Sequence, residues 1–442
     1  MGSPDLVGMV PEAIAGLAAV YGGSKVTRYA RADRDTRASI RQAYRIRRRW
    51  RRFAPMAGLF ALQAPGRLAA LRTPDGFAPV PKTLIPTLKT RPDRFGVTVT
   101  ANTLPKVGLT AWRSAEESLR DAWGFPRVKI SQPKPGLVLV RGFRNEPLDT
   151  HTDSVLMTSG GDLCFQPGEL TSEDPIFLGF TEDGEPVRLN LRRSAHGLIA
   201  GVTRSGKSIT TNTLLAAASL MRDVRMVVID PNLAAAAPWW RTAHTVSSSV
   251  QPDEPIEILR EIRAEMERRA GTFWAGRTDR IETFSEEMPL ILLVIDEVAN
   301  YTRHPDKKKR EAFEAELSAI ASQGAKYGVR LWLLAQKPSA DVLTTAIRTN
   351  LSSRICHRVD TTEDFLHLFP DGRDLDVTAA DRSMPPGVSI ASLGDMRTPS
   401  RMRSVYLSTE DCWRINDAMC AAGLQIRELP ESAPSMPFDA AA

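Results

Sequence analysis

The chain has 442 residues, 42% of them apolar and 25% charged, which excludes a fibrous or low-complexity chain and fits two to three globular domains. The net charge of +6 is unevenly placed: residues 1–75 carry fourteen Lys and Arg against five Asp and Glu, and the other 367 residues are net negative. An acidic partner is therefore expected at the N-terminal end rather than along the whole chain. The four cysteines, Cys164, Cys356, Cys412 and Cys420, form no CxxC pair, which argues against a metal knuckle and for a reduced, cytoplasmic setting.

The N-terminus has no positive region before its first apolar stretch, so no signal peptide is expected. The least polar run, Phe53 to Leu71, is interrupted by Pro55, Pro65 and Arg67. A spanning helix needs about 20 mostly apolar residues, so no transmembrane segment is expected either. Residues 25–52 hold eleven arginines, and the first five, Arg28 to Arg41, stand three or four apart. A helix would align these as one basic stripe. The proline-rich run Thr73 to Arg94 reads as a linker. FGVTVTANT alternates as a strand does, Trp112 to Gly124 is helical with Gly124 as its stop, and VKISQ and GLVLVRG read as strands. These make a small α/β module at about residues 85–150.

From Pro175 the pattern changes. IFLGFTEDGEPVRLNL reads as a hairpin turning at Asp183-Gly184. Short apolar strands follow at 197–201, 225–230, 290–296, 330–336 and 354–359, with helical text between them. Such strands imply a parallel sheet with helices on both faces. A last amphipathic helix, CWRINDAMCAAG, precedes a tail that reads as disordered. The expected divisions are 1–75 (basic helical segment), 76–165 (small α/β domain), 166–410 (α/β nucleotide domain) and 411–442 (helix and tail).

The stretch GVTRSGKS carries the chemistry. Gly201, Val202, Thr203, Arg204, Ser205, Gly206, Lys207 and Ser208 follow a strand and open a helix, the context a phosphate-binding loop requires. Its glycines let backbone N–H groups converge on phosphate oxygens. Lys207 is placed for the β- and γ-phosphates and Ser208 for Mg²⁺. Asp296 and Glu297 end the apolar strand LILLVID, at the edge where ligands bind in open α/β sheets. Asp296 suits Mg²⁺ and Glu297 suits a general base for an attacking water. Gln336 ends the next strand, where it can touch both γ-phosphate and water. Asp230 either orients the site or caps a turn. His196 reads as a packed strand-end residue. No guanine-reading Asn-Lys-x-Asp is present, so ATP is expected rather than GTP.

Taken together, HGLIAGVTRSGKS, VVIDPN, LLVIDEVANY, LLAQKPSADVLTTAIRTNLSSRI and PPGVSIASLGD resemble the motor domain of the FtsK/SpoIIIE family, over about residues 170–408. The resemblance implies a RecA-like P-loop ATPase motor preceded by a small α/β domain. It also implies a homo-hexameric ring that moves double-stranded DNA with ATP and Mg²⁺. It assigns ATP to Gly206, Lys207 and Ser208, Mg²⁺ to Asp296, catalysis to Glu297 and sensing to Gln336. The short length and basic N-terminus are more similar to transfer proteins of actinomycete conjugative plasmids and integrative elements. Chromosome segregation and type VII protein export are the alternatives.

Two departures stand out. Arg204 occupies a loop position usually held by glycine, and a pairing across the ring interface is expected of it. The turn before the sensor strand reads GAKYG, with Ala325 where the family often has arginine, so the residue acting in trans is left among Lys326, Arg330 and Arg354. Arg348 and Arg358 lie beside that last candidate. No winged-helix domain is expected after the motor. Arg303, Lys307, Lys308, Lys309, Arg310 and Arg348 are candidate DNA contacts. The arginine stripe suits DNA or an anionic membrane surface, so a peripheral contact with a membrane or membrane partner is also expected.

Overall fold

The computed structural model describes residues 29–64, 81–233, 235–370, 384–394, 396 and 398–428. Arg28, the start of the proline-rich run at 73–80 and the tail from 429 lie outside them. The chain divides into two compact units between Pro147 and Leu148.

The first unit begins with α1 (Arg34–Met56), capped by the Asp33 carboxylate, which accepts the Thr36 N–H at 2.6 Å. Its other elements are β1 (Ala61–Gln63), β2 (Lys82–Leu84), β3 (Leu88–Pro92), β4 (Gly96–Asn102), α2 (Leu109–Ser114), α3 (Glu116–Trp123), β5 (Arg127–Lys134) and β6 (Leu137–Phe143). An antiparallel sheet in the order β3-β4-β6-β5 carries α1 across β3 and β4. The helix buries Ala43, Ile46, Trp50 and Ala54, three or four apart. Trp50 stacks on Trp112 at 5.7 Å and donates its indole N–H to the Pro86 carbonyl at 2.6 Å. The Gln42 amide donates to the carbonyls of Trp123 and Gly124. Gly124 closes α3 in the left-handed conformation, as its position in the sequence suggests.

Three divisions differ from expectation, the first being that the second unit starts at Leu148 rather than at residue 166. The basic helix and the small α/β module share one core instead of dividing at residue 75. The run read as a linker contains β2 and β3. Pro92 ends an edge strand, where a missing N–H breaks no ladder bond.

The second unit holds β7 (Ile176–Thr181), β8 (Pro186–Leu189), β9 (Gly197–Ala200), α4 (Lys207–Ser219), β10 (Val224–Ile229), β11 (Thr245–Ser247), α5 (Asp253–Gly276), β12 (Leu290–Ile295), α6 (Ala299–Thr302), α7 (Lys307–Gln323), β13 (Val329–Ala335), α8 (Thr345–Asn350), β14 (Ser353–His357), α9 (Thr362–Leu368), β15 (Val388–Ser392), β16 (Ser400–Ser404) and α10 (Thr409–Ala421). One sheet runs β11-β10-β12-β13-β9-β14-β15-β16-β7-β8. The six strands from β11 to β14 are parallel, and β12 and β13 are buried throughout their length. The last four are antiparallel, so the sheet is mixed rather than wholly parallel. Connections without a helix join β7 to β8 and β15 to β16, and such connections pair strands antiparallel. Separate apolar cores fill the two faces, with α4 and α10 in one and α5 and α7 in the other. A reciprocal Ser408–Asp411 capping box starts α10. Among the described residues no helix is long and apolar enough to cross a membrane.

Candidate functional site

The chain leaves β9 and enters α4 through residues 201–206. Gly201 and Gly206 have φ of 156° and 108°. A Cβ on Gly201 would stand 2.7 Å from the His357 Cβ, and one on Gly206 2.5 Å from the Gly387 nitrogen. Both positions therefore require glycine, by conformation and by space. The loop is fixed from both sides. Gly201 N–H donates to the Ala335 carbonyl (3.2 Å), Val202 N–H to the Arg358 carbonyl (3.0 Å), and Gly387 N–H to the Ser205 carbonyl (2.9 Å). Arg204 adopts the left-handed conformation at φ 61° and is exposed.

Because β9, β12 and β13 are parallel, their C-terminal ends share one edge of the sheet. β12 delivers Asp296 and Glu297 there, and β13, lying between β12 and β9, delivers Gln336. These three residues, residues 202–204 and 206–209 of the loop and α4, and Asn232 line one cavity of about 390 Å³. Lys207 Nζ stands 3.3 Å from Asp296 Oδ1 and 3.7 Å from Glu297 Oε2. Asp296 Oδ1 also accepts the Glu297 N–H at 2.9 Å. Glu297 turns off the strand with φ 45°, a strained conformation for a side chain with a Cβ. Its Oε2 is buried and makes no hydrogen bond. Burial pushes this carboxyl above its ordinary range; the Lys207 charge opposes that shift and the Asp296 charge adds to it.

Asp230 is fully buried behind the acidic pair, and its carboxylate accepts the N–H groups of Asn232 (2.9 Å), Ala235 (2.7 Å) and Ala236 (3.0 Å). It shapes the turn that brings Asn232 to the cavity. Burial, then the Asp296 charge, raises its pKa despite those donors. His196 is packed: Nδ1 accepts the Leu331 N–H at 2.9 Å, and burial holds the ring neutral with its pKa lowered to about 4.

Of the arginines, Arg204 lines the cavity, and neither Arg330 nor Arg354, the arginine candidates for acting in trans, does so. Arg354, expected among the catalytic residues, donates to the carbonyls of Leu351, Arg348 and Leu368 beside β14. Arg330 is buried and donates to the carbonyls of Leu191, Arg192, Ala325 and Val329, so its guanidinium is committed to the main chain of its own unit. Arg348 bonds His367 and Thr345. Lys326 is exposed on its turn. Of the candidate DNA contacts, Arg303 pairs with Asp341, Lys309 with Asp253 and Lys307 with Glu311.

One neighbour of the loop had no visible signal in the sequence. His357, inside the apolar run RICHRV, lies fully buried beneath the loop. Its Nε2 is 3.0 Å from Thr210 Oγ1, which is 2.8 Å from Ser404 Oγ. Burial holds the ring neutral, with its pKa lowered to about 4. A strand histidine and a helix threonine 147 positions apart carry no spacing that would pair them.

The arrangement suits one chemistry. A helix N-terminus and a glycine-bent loop present N–H groups to an anion. Ser208 and Asp296 supply hard oxygen donors to the same cavity, a set that fits Mg²⁺, whose other ligands are water and phosphate oxygens. The orphaned Glu297 Oε2 fits a water. The fold and site define a P-loop nucleotide-binding protein.

Residues 170–367 match the model of the FtsK/SpoIIIE family, so the chain carries an FtsK/SpoIIIE-family domain that includes every cavity residue from Val202 to Gln336. The DNA translocase SftA of Bacillus subtilis (strain 168) is 28% identical over 260 residues, 55% of this chain and 26% of its own length. The DNA translocase FtsK of Listeria monocytogenes serovar 1/2a is 27% identical over 326 residues, 69% of this chain and 41% of its own. The chain thus spans less than half the length of these curated relatives. Among solved structures, the pCW3 conjugation coupling protein TcpA, in its monomer form with ATPγS, superposes with a TM-score of 0.50 at 18% identity. The match covers 77% of this chain and 94% of that one, a likeness of fold.

Proposed function

We propose that this chain is an ATP-hydrolysing motor that translocates double-stranded DNA as a homo-hexameric ring. The observation that carries the reading is the convergence of Lys207, Asp296, Glu297 and Gln336 on one cavity beside the phosphate loop. The names of the relatives, both DNA translocases, support DNA as cargo. Backbone N–H groups of the loop and Lys207 would bind the β- and γ-phosphates. Ser208 and Asp296 would hold Mg²⁺, which when bound neutralises phosphate charge. Phosphates that draw Lys207 away from the acidic pair leave Glu297 Oε2 free to accept a proton from the attacking water. Gln336, within the same cavity, would report whether the γ-phosphate is present.

Transfer of a mobile element is the setting this reading favours, with the protein on the cytoplasmic side and membrane contact made through a partner. The test is ATP turnover with and without duplex DNA. Turnover raised by duplexes of unrelated sequence supports the reading. Turnover unchanged by DNA but raised by an extended peptide supports protein export instead.

A further inference from the structure

The arginines of α1 are an anomaly within this chain. On α5, Arg260, Arg263, Arg268 and Arg269 each meet a carboxylate, from Glu257, Glu316 or Glu265. On α1 the only acidic residue inside the helix is Asp35, in the first turn. Arg34, Arg37, Arg41, Arg45, Arg48 and Arg52 recur at three- and four-residue intervals and are all exposed. Among the described residues none of them forms an ion pair; Arg37 and Arg41 reach only the carbonyls of Tyr29 and Ala30 and the Tyr29 hydroxyl. Arg47, Arg49 and Arg51 flank the row. Like charges at these intervals oppose helix formation, so burial of Ala43, Ile46, Trp50 and Ala54 on the opposite face holds the helix against its own repulsion.

We infer that this arginine row is a docking surface for the phosphate backbone of duplex DNA, separate from the nucleotide domain. Charge complementarity selects a polyanion, and geometry selects a rod-like one. Arg34 to Arg52 covers roughly 27 Å of helix at 1.5 Å per residue, the rise of about eight nucleotides at 3.4 Å each. A helix that lies in a membrane surface turns an apolar face to the lipid. The apolar face of α1 is already buried in its own unit, and its exposed face is mostly arginine, with Tyr44 and Met56 as isolated exposed apolar side chains rather than a stripe. The choice of duplex DNA over another polyanion rests on the proposed motor function; the cationic surface does not.

The test uses the full chain carrying Arg45→Ala, Arg48→Ala and Arg52→Ala, compared with the unaltered chain by anisotropy of a labelled duplex across a NaCl series. Each phosphate contact contributes about −0.9 to the slope of log K against log salt. The triple variant should flatten that slope by about 2 to 3 and bind at least roughly tenfold more weakly near 0.1 M salt, with basal ATP turnover unchanged. The corresponding lysine variants should keep most of the slope. An unchanged slope overturns the inference. So does an unchanged slope with loss of cosedimentation on phosphatidylcholine–phosphatidylserine vesicles, which would make the row a membrane surface. Duplex binding with the expected slopes but no rise in turnover would instead sink the motor reading and leave the docking surface standing.

Discussion

Lys207 Nζ stands 3.3 Å from Asp296 Oδ1, so the phosphate loop and the end of β12 are joined by an ion pair that reaches past the intervening strand β13. The lysine is held by the acidic pair, and under the proposed function phosphates would compete for it. Both side chains are largely buried, so removing one partner leaves the other uncompensated. A double-mutant cycle of Lys207→Met and Asp296→Asn should give a coupling of about 1–3 kcal/mol in denaturant unfolding. Each single variant should lose the thermal stabilisation that ATP gives. Additive single effects would show that the two side chains do not interact.

Glu297→Gln should bind ATP and lose turnover by roughly 10²- to 10⁴-fold, the usual contribution of a general base. It should also alter stability with pH in a defined sense. The folded-state pKa of Glu297 is raised, so ionisation disfavours the folded state. Stability is lost as pH rises from the ordinary carboxylate value through the raised one. The glutamine variant escapes that loss. It should melt higher than the unaltered chain near pH 7.5 and equally near pH 4. A lower melting temperature at both pH values would contradict the burial account.

Arg204→Gly separates strain from function. A left-handed conformation costs a residue with a Cβ about 1–2 kcal/mol, and the greater freedom of glycine in the unfolded chain takes back about 0.4–1 kcal/mol. The variant should therefore gain roughly 0.5–1 kcal/mol of stability in urea unfolding. If the exposed guanidinium pairs with a neighbouring subunit, the same variant should assemble less well and lose DNA-stimulated turnover. Intact assembly and turnover would reduce Arg204 to a strained surface residue.

Trp112→Ala tests the division at Pro147. Trp112 is fully buried against Trp50, and its truncation should cost about 3–5 kcal/mol. Calorimetry should show the loss in a transition of the first unit, with nucleotide binding by the second unit retained. A single transition shifted as a whole would mean that the two units unfold together.

The nucleotide site was legible because its motif demands its own surroundings. A loop of this spacing needs a strand before it and a helix after it, and continuous apolar runs such as LILLVI mark strands buried on both faces. Topology then puts Asp296 and Gln336 on the edge where the loop lies. Other parts were hidden for physical reasons. β15 and β16 are joined to each other without a helix, so this pair fell outside the alternation of strand and helix, whereas the antiparallel hairpin of β7 and β8 was legible from its Asp183-Gly184 turn. β3 was masked by prolines that an edge strand tolerates. The single core of the first unit depends on Trp50 meeting Trp112 and on Gln42 meeting the carbonyls that end α3, contacts across sixty to eighty residues that local patterning does not encode. Arg354 illustrates the converse: sequence placed it near the chemistry, and the fold gives its guanidinium to main-chain carbonyls.

The central claim is that hydrolysis at this site moves duplex DNA. Displacement of a triplex-forming oligonucleotide from a long duplex tests it most directly, because the third strand leaves only when a motor runs into it. The account predicts displacement that needs ATP and Mg²⁺ and is abolished by Glu297→Gln. A triplex that stays bound while duplex DNA accelerates hydrolysis would contradict it.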